Sequence, residues 1–511
     1  MRGIYVGLND GNIVAFAGGT VQTNTTDDGT ALRGNEGRGA DTLPPLRKMF
    51  KAYNSGLVSM ERTARDAHLL AAIGATAMRI DVGMGWDTHR KGMPGVFGSV
   101  VEAAVAVNET QRATAGSTAL RYDFSPIHAM SDILHSVGAT PVYSWCYTPT
   151  PLQANGDWRS GPTDLDSWYT MHRNIANATR SWEAGLGGGD GGSRNGNANA
   201  KVVHEIYNEP DLSWSLTASW SQYLLMYKAA ASAIRDVSTD NCIIGPAAAV
   251  PTVEKLGQFL SFVDAHNLPL CAISVHAYGS SGQWQANLAV TKQALREGPA
   301  RFASTPIHIN ELNTVSALLP AEQQRALLDN FTMASSILGT ISALIADAAV
   351  EQVHWAQFLE SGFGDAWGMV TADGVVKAAY NAFVVYNRMP VEAMRVEINA
   401  EGAGSDAPVG YLASFNATRV AVAVWSSSDS VADISILMPA GMQWPFAEGV
   451  TAVYRIDREH CSFGNSLNAS AAALLPVTTQ PPSSTNGWQW RGALPGRGVV
   501  YLEVNAAGGS F

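Results

Sequence analysis

Across residues 1–390, short unbroken apolar runs alternate with longer stretches of helical periodicity, and this alternation restricts the possible folds more than any other feature. The apolar runs are Tyr5–Leu8, Thr76–Val82, Thr140–Trp145, Val202–Tyr207, Cys242–Ala247, Ala272–His276, Ile307–Asn310 and Gln352–Phe358. Helical patterns fall at Met60–Ile73, Ile127–Val137, Ser167–Trp182, Ser219–Asp236, Val253–His266, Gln285–Arg296, Pro320–Ala346 and Ala378–Asn387. A strand covered by helices on its outer side reads as a continuous hydrophobic run, so the sheet is expected to be parallel. Eight βα units in this length predict an α/β fold, a (β/α)8 barrel; a doubly wound sheet is the competing arrangement.

From Val391 the pattern changes. Tyr411–Phe415, Arg419–Trp425, Ala432–Met438, Ala452–Ile456 and Val499–Val504 alternate between apolar and polar residues, separated by Gly, Pro, Ser and Asp turns. That pattern predicts an antiparallel β-sandwich over residues 391–511 behind a barrel over residues 1–390.

Composition narrows the partners. Lys and Arg number 33 against 44 Asp and Glu, a net charge of −11, which argues against a nucleic-acid surface and against docking on an anionic membrane. The most apolar stretch, Phe331–Ala346, carries Thr332, Ser335, Ser336, Thr340 and Ser342 and is too short and polar to span a bilayer, so it reads as a buried helix. No leader-like apolar run follows Met1, and the cellular location stays open. Cys146, Cys242, Cys271 and Cys461 have no metal-ligand spacing and read as buried thiols, with a Cys242–Cys271 bridge as the alternative because both open neighbouring strands.

Chemistry concentrates at two strand ends. His204-Glu205-Ile206-Tyr207-Asn208-Glu209-Pro210 is an apolar strand whose proline follows the carboxylate directly. A zinc reading of His204-Glu205 fails, because the metalloprotease pattern needs His where Asn208 stands. Pro306-Ile307-His308-Ile309-Asn310-Glu311 also ends on a glutamate, so Glu209 closes the fourth strand and Glu311 the seventh. Residues at the C-terminal ends of barrel strands face the active-site mouth. Two carboxylates there suit glycoside hydrolysis, which needs a proton donor and a nucleophile or base; for retention they should stand about 5–5.5 Å apart.

In this setting the chain resembles glycoside hydrolase family 39, within clan A of the retaining glycosidases. The resemblance runs in order through Tyr122-Asp123-Phe124-Ser125, Gly138-Ala139-Thr140-Pro141, Asn208-Glu209-Pro210, Ile273-Ser274-Val275-His276-Ala277-Tyr278, Glu311-Leu312-Asn313-Thr314 and Lys377-Ala378-Ala379-Tyr380-Asn381-Ala382-Phe383. It implies a general acid/base at Glu209, a nucleophile at Glu311, an oligo- or polysaccharide substrate and no cofactor. β-Xylosidase-like action is the first expectation, with iduronidase-, arabinosidase- or galactosidase-like action, or a silent carbohydrate-binding barrel, as alternatives. The second strand ends Arg79-Ile80-Asp81, without the histidine associated with the xylosidase members.

Five further residues are expected on the same rim. Asn208 is placed to bond the sugar 2-hydroxyl. His276 or Tyr278 is placed to bond Glu311, and Arg79 to favour its ionised form. Trp355 offers a flat platform for a sugar face, with Trp145 a weaker candidate; core packing is the alternative for both. The glycine run Gly187–Gly192 matches a dinucleotide fingerprint by letter but has no strand before it, and reads as a loop. Sequons at Asn24, Asn108, Asn177, Asn330, Asn416 and Asn468 are near chance, and Asn330 falls inside the expected 320–346 helix.

Overall fold

A computed structural model describes residues 7–9, 12–14, 45–84, 101–103, 120–187, 201–361, 366–394, 396–401, 409–437, 450–461, 472–480 and 489–505. Eight parallel strands close into a barrel. They are β1 (Phe50–Asn54), β2 (Ala77–Asp81), β3 (Thr140–Ser144), β4 (Val203–Glu205), β5 (Cys242–Ala248), β6 (Ala272–Tyr278), β7 (Ile307–Asn313) and β8 (Val350–Ala356). Each pairs with its neighbour in chain order, and β8 closes on β1 through the register Val353 with Phe50 and Trp355 with Ala52. The closed parallel barrel settles the choice against a doubly wound sheet.

Seven of the eight expected strands lie where the apolar runs placed them. The first does not. Gly7–Asn9 pairs antiparallel with Asn12–Val14 in a two-stranded hairpin, and the first barrel strand is Phe50–Asn54. Lys51 and Asn54 interrupt the apolar run of that strand and hide it. In the fold, Lys51 Nζ leaves the barrel to donate to Thr76 Oγ1 at 2.6 Å. Two expected helices are also broken: the first into Met60–Asp66 and His68–Ala72, the other into Ala321–Leu328 and Met333–Ile345 with an 80° bend. Asn330 therefore sits in the break and not inside a helix. Among the described residues no single helix is long and apolar enough to cross a membrane.

Local sequence supports these elements. Ser219 caps the helix Trp220–Val237 through a reciprocal box with Gln222, and the Thr252 side chain accepts from Lys255 N at the start of Val253–Ala265. Gly138, at φ +75°, turns the chain from the helix Ser125–Ser136 into β3, a backbone state that a side chain resists. Inside the barrel, Ala77, Val142, Ile244 and Ala272 from four strands pack as one buried cluster. Cys242 and Cys271 are free thiols, hydrogen-bonded to each other. Cys271 is exposed, contrary to the buried setting expected for all four cysteines, and that hydrogen bond brings its thiol down to about 7.

The chain divides into two compact units: residues 50–318 with 349–368, which hold all eight barrel strands, and residues 1–49, 319–348 and 369–511. Besides the hairpin Gly7–Asn9 with Asn12–Val14, the described residues of the second unit contain two antiparallel sheets. One runs β9 (Glu392–Ala393), β11 (Val409–Phe415), β12 (Arg419–Ser426), β17 (Val499–Asn505), β14 (Val450–Ile456), β15 (Pro476–Gln480); the other runs β10 (Glu397–Glu401), β13 (Ala432–Leu437), β16 (Gln489–Leu494). Their inner faces share one buried core that includes Ile398, Val422, Val424, Ile434, Ile436, Trp490, Val500 and Leu502, as a sandwich requires. The loop expected at Thr20–Pro45, the glycine run beyond Gly187 and the sequons Asn24, Asn108 and Asn468 lie outside the described residues.

Two glycines give opposite expectations. A Cβ on Gly368 would sit 2.5 Å from Leu359 C and 2.8 Å from Glu360 Cα, backbone atoms that cannot rotate away. Gly368→Ala should lower stability by roughly 1–3 kcal/mol or more. Gly257 lies within the helix Val253–Ala265, and a Cβ added there would meet nothing within 4 Å. Gly257→Ala should therefore raise stability by up to about 1 kcal/mol. Thermal melts of the two variants that shift in the same direction would contradict this packing.

Candidate active site

The C-terminal ends of β2, β4, β6 and β7 bring the polar residues together. Because side chains alternate along a strand, Arg79 and Asp81 share one face of β2, as do His276 and Tyr278 on β6. Beyond β4 the backbone leaves extended geometry. Tyr207 and Glu209 have φ of +73° and +47°, left-handed states that cost on the order of 1–3 kcal/mol each for residues with side chains. Hydrogen bonds hold the segment there: Glu209 N donates to Ala247 O at 3.1 Å, Leu212 N donates to Glu209 O at 3.1 Å, and Ser215 Oγ donates to Asn208 O. The strain sits at the residue whose carboxyl must be aimed.

Arg79, fully buried, organises the centre. Its Nε donates to Glu205 Oε2 at 2.6 Å, Nη1 to Glu311 Oε1 at 2.8 Å and Nη2 to Asn208 Oδ1 at 2.7 Å, with Asp81 Oδ1 2.9 Å from Nη1. Glu205 is held from its other side by Asn310 Nδ2. Tyr278 Oη donates to Glu311 Oε2 at 2.6 Å. His276 Nδ1 lies 2.7 Å from Glu209 Oε1 and 3.5 Å from Glu311 Oε2. Burial favours the neutral imidazole, but Glu311 and Glu209 outweigh it and raise the pKa of His276. Ligand-type oxygens of Glu209 and Glu311 lie within 4.8 Å of each other, in the close-spaced range.

Each residue singled out in the sequence now has a place. Arg79, Asn208, Glu209, His276, Tyr278 and Glu311 converge on one site. The two strand-six residues divide the carboxylates between them, Tyr278 on Glu311 and His276 closer to Glu209. Trp355 is 1% exposed and Trp145 is buried, its indole donating to His204 Nδ1 at 3.0 Å. Four site residues do not stand out in the sequence as such. Glu205 is one, conspicuous there only for its failed zinc pattern. Tyr53 is another, donating to Asp81 Oδ2 at 2.6 Å from the hidden first strand. Tyr147 accepts from Asn208 Nδ2 at 3.2 Å, and Trp367 meets Tyr278 edge-on at 5.6 Å. Tyr147 and Trp367 stand on connections with no strand pattern, Tyr53 stands on the strand the sequence hid, and only Glu205 carried a usable signal, its place on the fourth strand.

Glu209, His276 and Glu311 form the one cluster of metal-type ligand atoms found among the described residues, all within 4.8 Å. Two carboxylates and an imidazole are donors a divalent cation accepts. The Arg79 guanidinium, 2.8 Å from Glu311, already supplies fixed positive charge and opposes a second cation.

Asp81 carries a testable consequence. Burial pushes its carboxyl up to about 6, against the pull of Arg79 and with Glu311 adding repulsion. A raised carboxyl takes up more protons in the folded state than in the unfolded one between about pH 4 and pH 6. Its contribution to stability is therefore present below about pH 4 and lost as pH rises through about 6. Asp81→Asn cannot titrate, so its melting temperature relative to the native chain should climb across that window and level off above it. Parallel melting curves for the two from pH 4 to pH 7 would show that Asp81 does not titrate in this way.

The model for Glycosyl hydrolases family 39 matches residues 193–433, spanning β4 to β8, both strand-end glutamates and the first strands of the sandwich. A Beta-xylosidase of Geobacillus stearothermophilus is 21% identical over 315 residues, covering 53% of this chain and 57% of that protein, so the chain matches little more than half the length of this curated relative. A monomeric beta-xylosidase from Caulobacter crescentus superposes with a TM-score of 0.68 at 13% identity, over 91% of this chain and 98% of that one. The GH39 enzyme from Xanthomonas axonopodis pv. citri gives 0.67 at 16% identity, over 91% and 96%. At such identities the structures speak for the fold: a parallel barrel with an antiparallel sandwich. The family's own model thus matches the chain through the region that holds Asn208-Glu209-Pro210 and Glu311, and over residues 193–433 the chain is similar to glycoside hydrolase family 39.

Proposed function

We propose that this chain is a retaining glycosidase that cleaves O-glycosidic bonds by double displacement. The observation that carries the reading is the pair Glu209 and Glu311, with oxygens within 4.8 Å and unlike partners. At that spacing no water fits between carboxylate and sugar, so the nearer carboxylate itself attacks. Glu311 has the nucleophile's surroundings. Arg79 and Tyr278 each donate to one of its oxygens, which fixes its aim. Glu209 has the proton donor's surroundings. Its Oε1 meets His276, which leaves the other oxygen for the glycosidic oxygen.

In the first step Glu311 bonds to the anomeric carbon while the Glu209 proton passes to the departing oxygen. The negative charge of Glu311 is consumed in the ester, which frees Glu209 to act as base on the water that releases the sugar. Asn208, held by Arg79 and Tyr147, presents its amide beside the acid and is placed for the sugar 2-hydroxyl. These residues complete the reaction without a cofactor.

β-Xylosidase-like action is the first choice of substrate, supported by the relatives that bear that name. Charge favours a neutral sugar. Glu205, Glu209, Glu311 and Asp81 crowd Arg79 and His276, and a uronic acid would add another carboxylate to that group. A screen of aryl β-xylosides, arabinosides, galactosides and uronides, with oligosaccharides of the same sugars, tests both class and sugar; turnover of none of them would refute the enzyme.

The two roles separate by mutation. Glu311→Ala should abolish turnover of every substrate, because no covalent intermediate forms. Glu209→Ala should reduce kcat/KM by roughly 10²–10⁴-fold on poor leaving groups and much less on activated aryl ones. Azide should rescue the latter as a β-glycosyl azide. Losses that are equal in both variants and insensitive to azide would mean the roles are misassigned.

A further inference from the structure

We infer that Trp214, backed by Trp158 and Tyr147, forms an aromatic subsite for a ring on the leaving-group side of the scissile bond, so that the substrate is an oligosaccharide or a glycoside with a cyclic aglycone. The inference rests on the glycosidase reading, in which Glu209 touches the departing oxygen and so marks the side to which the leaving group extends.

Trp214 is 47% exposed, five positions beyond Glu209 on the connection that leaves β4. A single exposed tryptophan needs no explanation on a mobile surface. This one stands on a segment fastened at several points to the acid's own strand end. Leu212 N donates to Glu209 O, Ser215 N donates to Leu212 O at 3.0 Å, and the Ser215 hydroxyl donates to Asn208 O. The Asp211 carboxylate accepts from Ala249 N at 2.9 Å and Val250 N at 2.8 Å. The ring is thus held open to solvent by a backbone with little freedom.

A second connection, leaving β3, meets it. Thr217 N donates to Arg159 O at 2.8 Å, joining the two loops, and Thr148 N donates to Trp158 O at 3.1 Å. Tyr147 lies between them. Its ring meets Trp158 at 4.5 Å and 70°, and Trp214 at 6.5 Å and 62°, while its hydroxyl accepts from Asn208 Nδ2. Edge-to-face contacts of this kind fix ring planes and leave the outer faces available. The half-buried Trp158 and the exposed Trp214 therefore continue the site outward from Asn208 on the side of Glu209. Flat apolar faces suit the C–H face of a sugar ring, or an aryl ring, and offer little to a small alcohol or water.

The test compares two donors of one glycone: xylobiose, whose leaving group is a sugar ring, and β-xylosyl fluoride, whose leaving group has no ring. In Trp214→Ala the ratio of kcat/KM for xylobiose to that for the fluoride should fall about tenfold, and Trp214→Tyr should restore most of it. The loss should appear mainly in KM, and melting temperature should hardly change because the ring is exposed. An unchanged ratio, or a drop that tyrosine does not repair, overturns the subsite while leaving the glycosidase intact. A native chain inert toward both donors overturns the β-xylosidase reading, and the subsite built on it falls too.

Discussion

The guanidinium of Arg79 is the interaction on which the rest of the site depends. It is completely buried, and a cation without water survives only where partners replace the lost solvation. Here they are Glu205, Glu311, Asp81 and the amide oxygen of Asn208, drawn from β2, the β4 end and β7. Because the fork of a guanidinium is rigid, those partners take positions relative to one another as well as to Arg79. Glu311, the proposed nucleophile, and the amide beside Glu209, the proposed acid, are thereby referenced to one planar group. Glu205 needs no chemical role of its own to matter; its carboxylate holds Arg79 in place from the side away from Glu311.

Glu209 is positioned by different means. Glu209 does not touch Arg79; it stands on a backbone turned into left-handed geometry and clamped by Ala247, Leu212 and Ser215. Glu311 lies within β7 and is steered by side chains, whereas Glu209 lies past a strand end and is steered by strained main chain. That difference suits the proposed roles. One carboxylate is gripped by two donors, and the other stands beside an imidazole whose pKa both carboxylates raise. The same clamped segment carries Trp214 outward, so the geometry that aims the acid also sets the place of the proposed leaving-group platform.

Much of this was written in the order of residues. Continuous apolar runs between helical patterns determined a parallel barrel, since strands with helices outside them have no polar face to alternate. Asn208-Glu209-Pro210 and the Glu311 strand end, one on the fourth strand and one on the seventh, determined which carboxylates share the mouth. The place of Arg79 at the end of the second strand put it on the same rim. What the sequence hid follows from residues whose partners are far away in the chain. Phe50–Asn54 does not read as the first strand because Lys51 and Asn54 break its pattern, and only the closing of β8 against β1 shows why they are tolerated. The continuous helix expected over 320–346 breaks at residues 329–332, where no proline or glycine marks the bend.

The sequence alone, then, determined the architecture and the two carboxylates, because both are set by local periodicity and by which strand a residue ends. Tertiary structure decided how those carboxylates differ. Whether Tyr278 or His276 bonds Glu311, that Glu205 and Asp81 brace Arg79, and that Tyr147 joins Asn208 to two tryptophans all depend on distances across the barrel mouth. Those distances are fixed by strand register and by partners far apart in the chain, such as Asn208 and Tyr147 at 61 positions or Arg79 and Glu311 at 232, and nothing in the periodicity of one segment reports on the other.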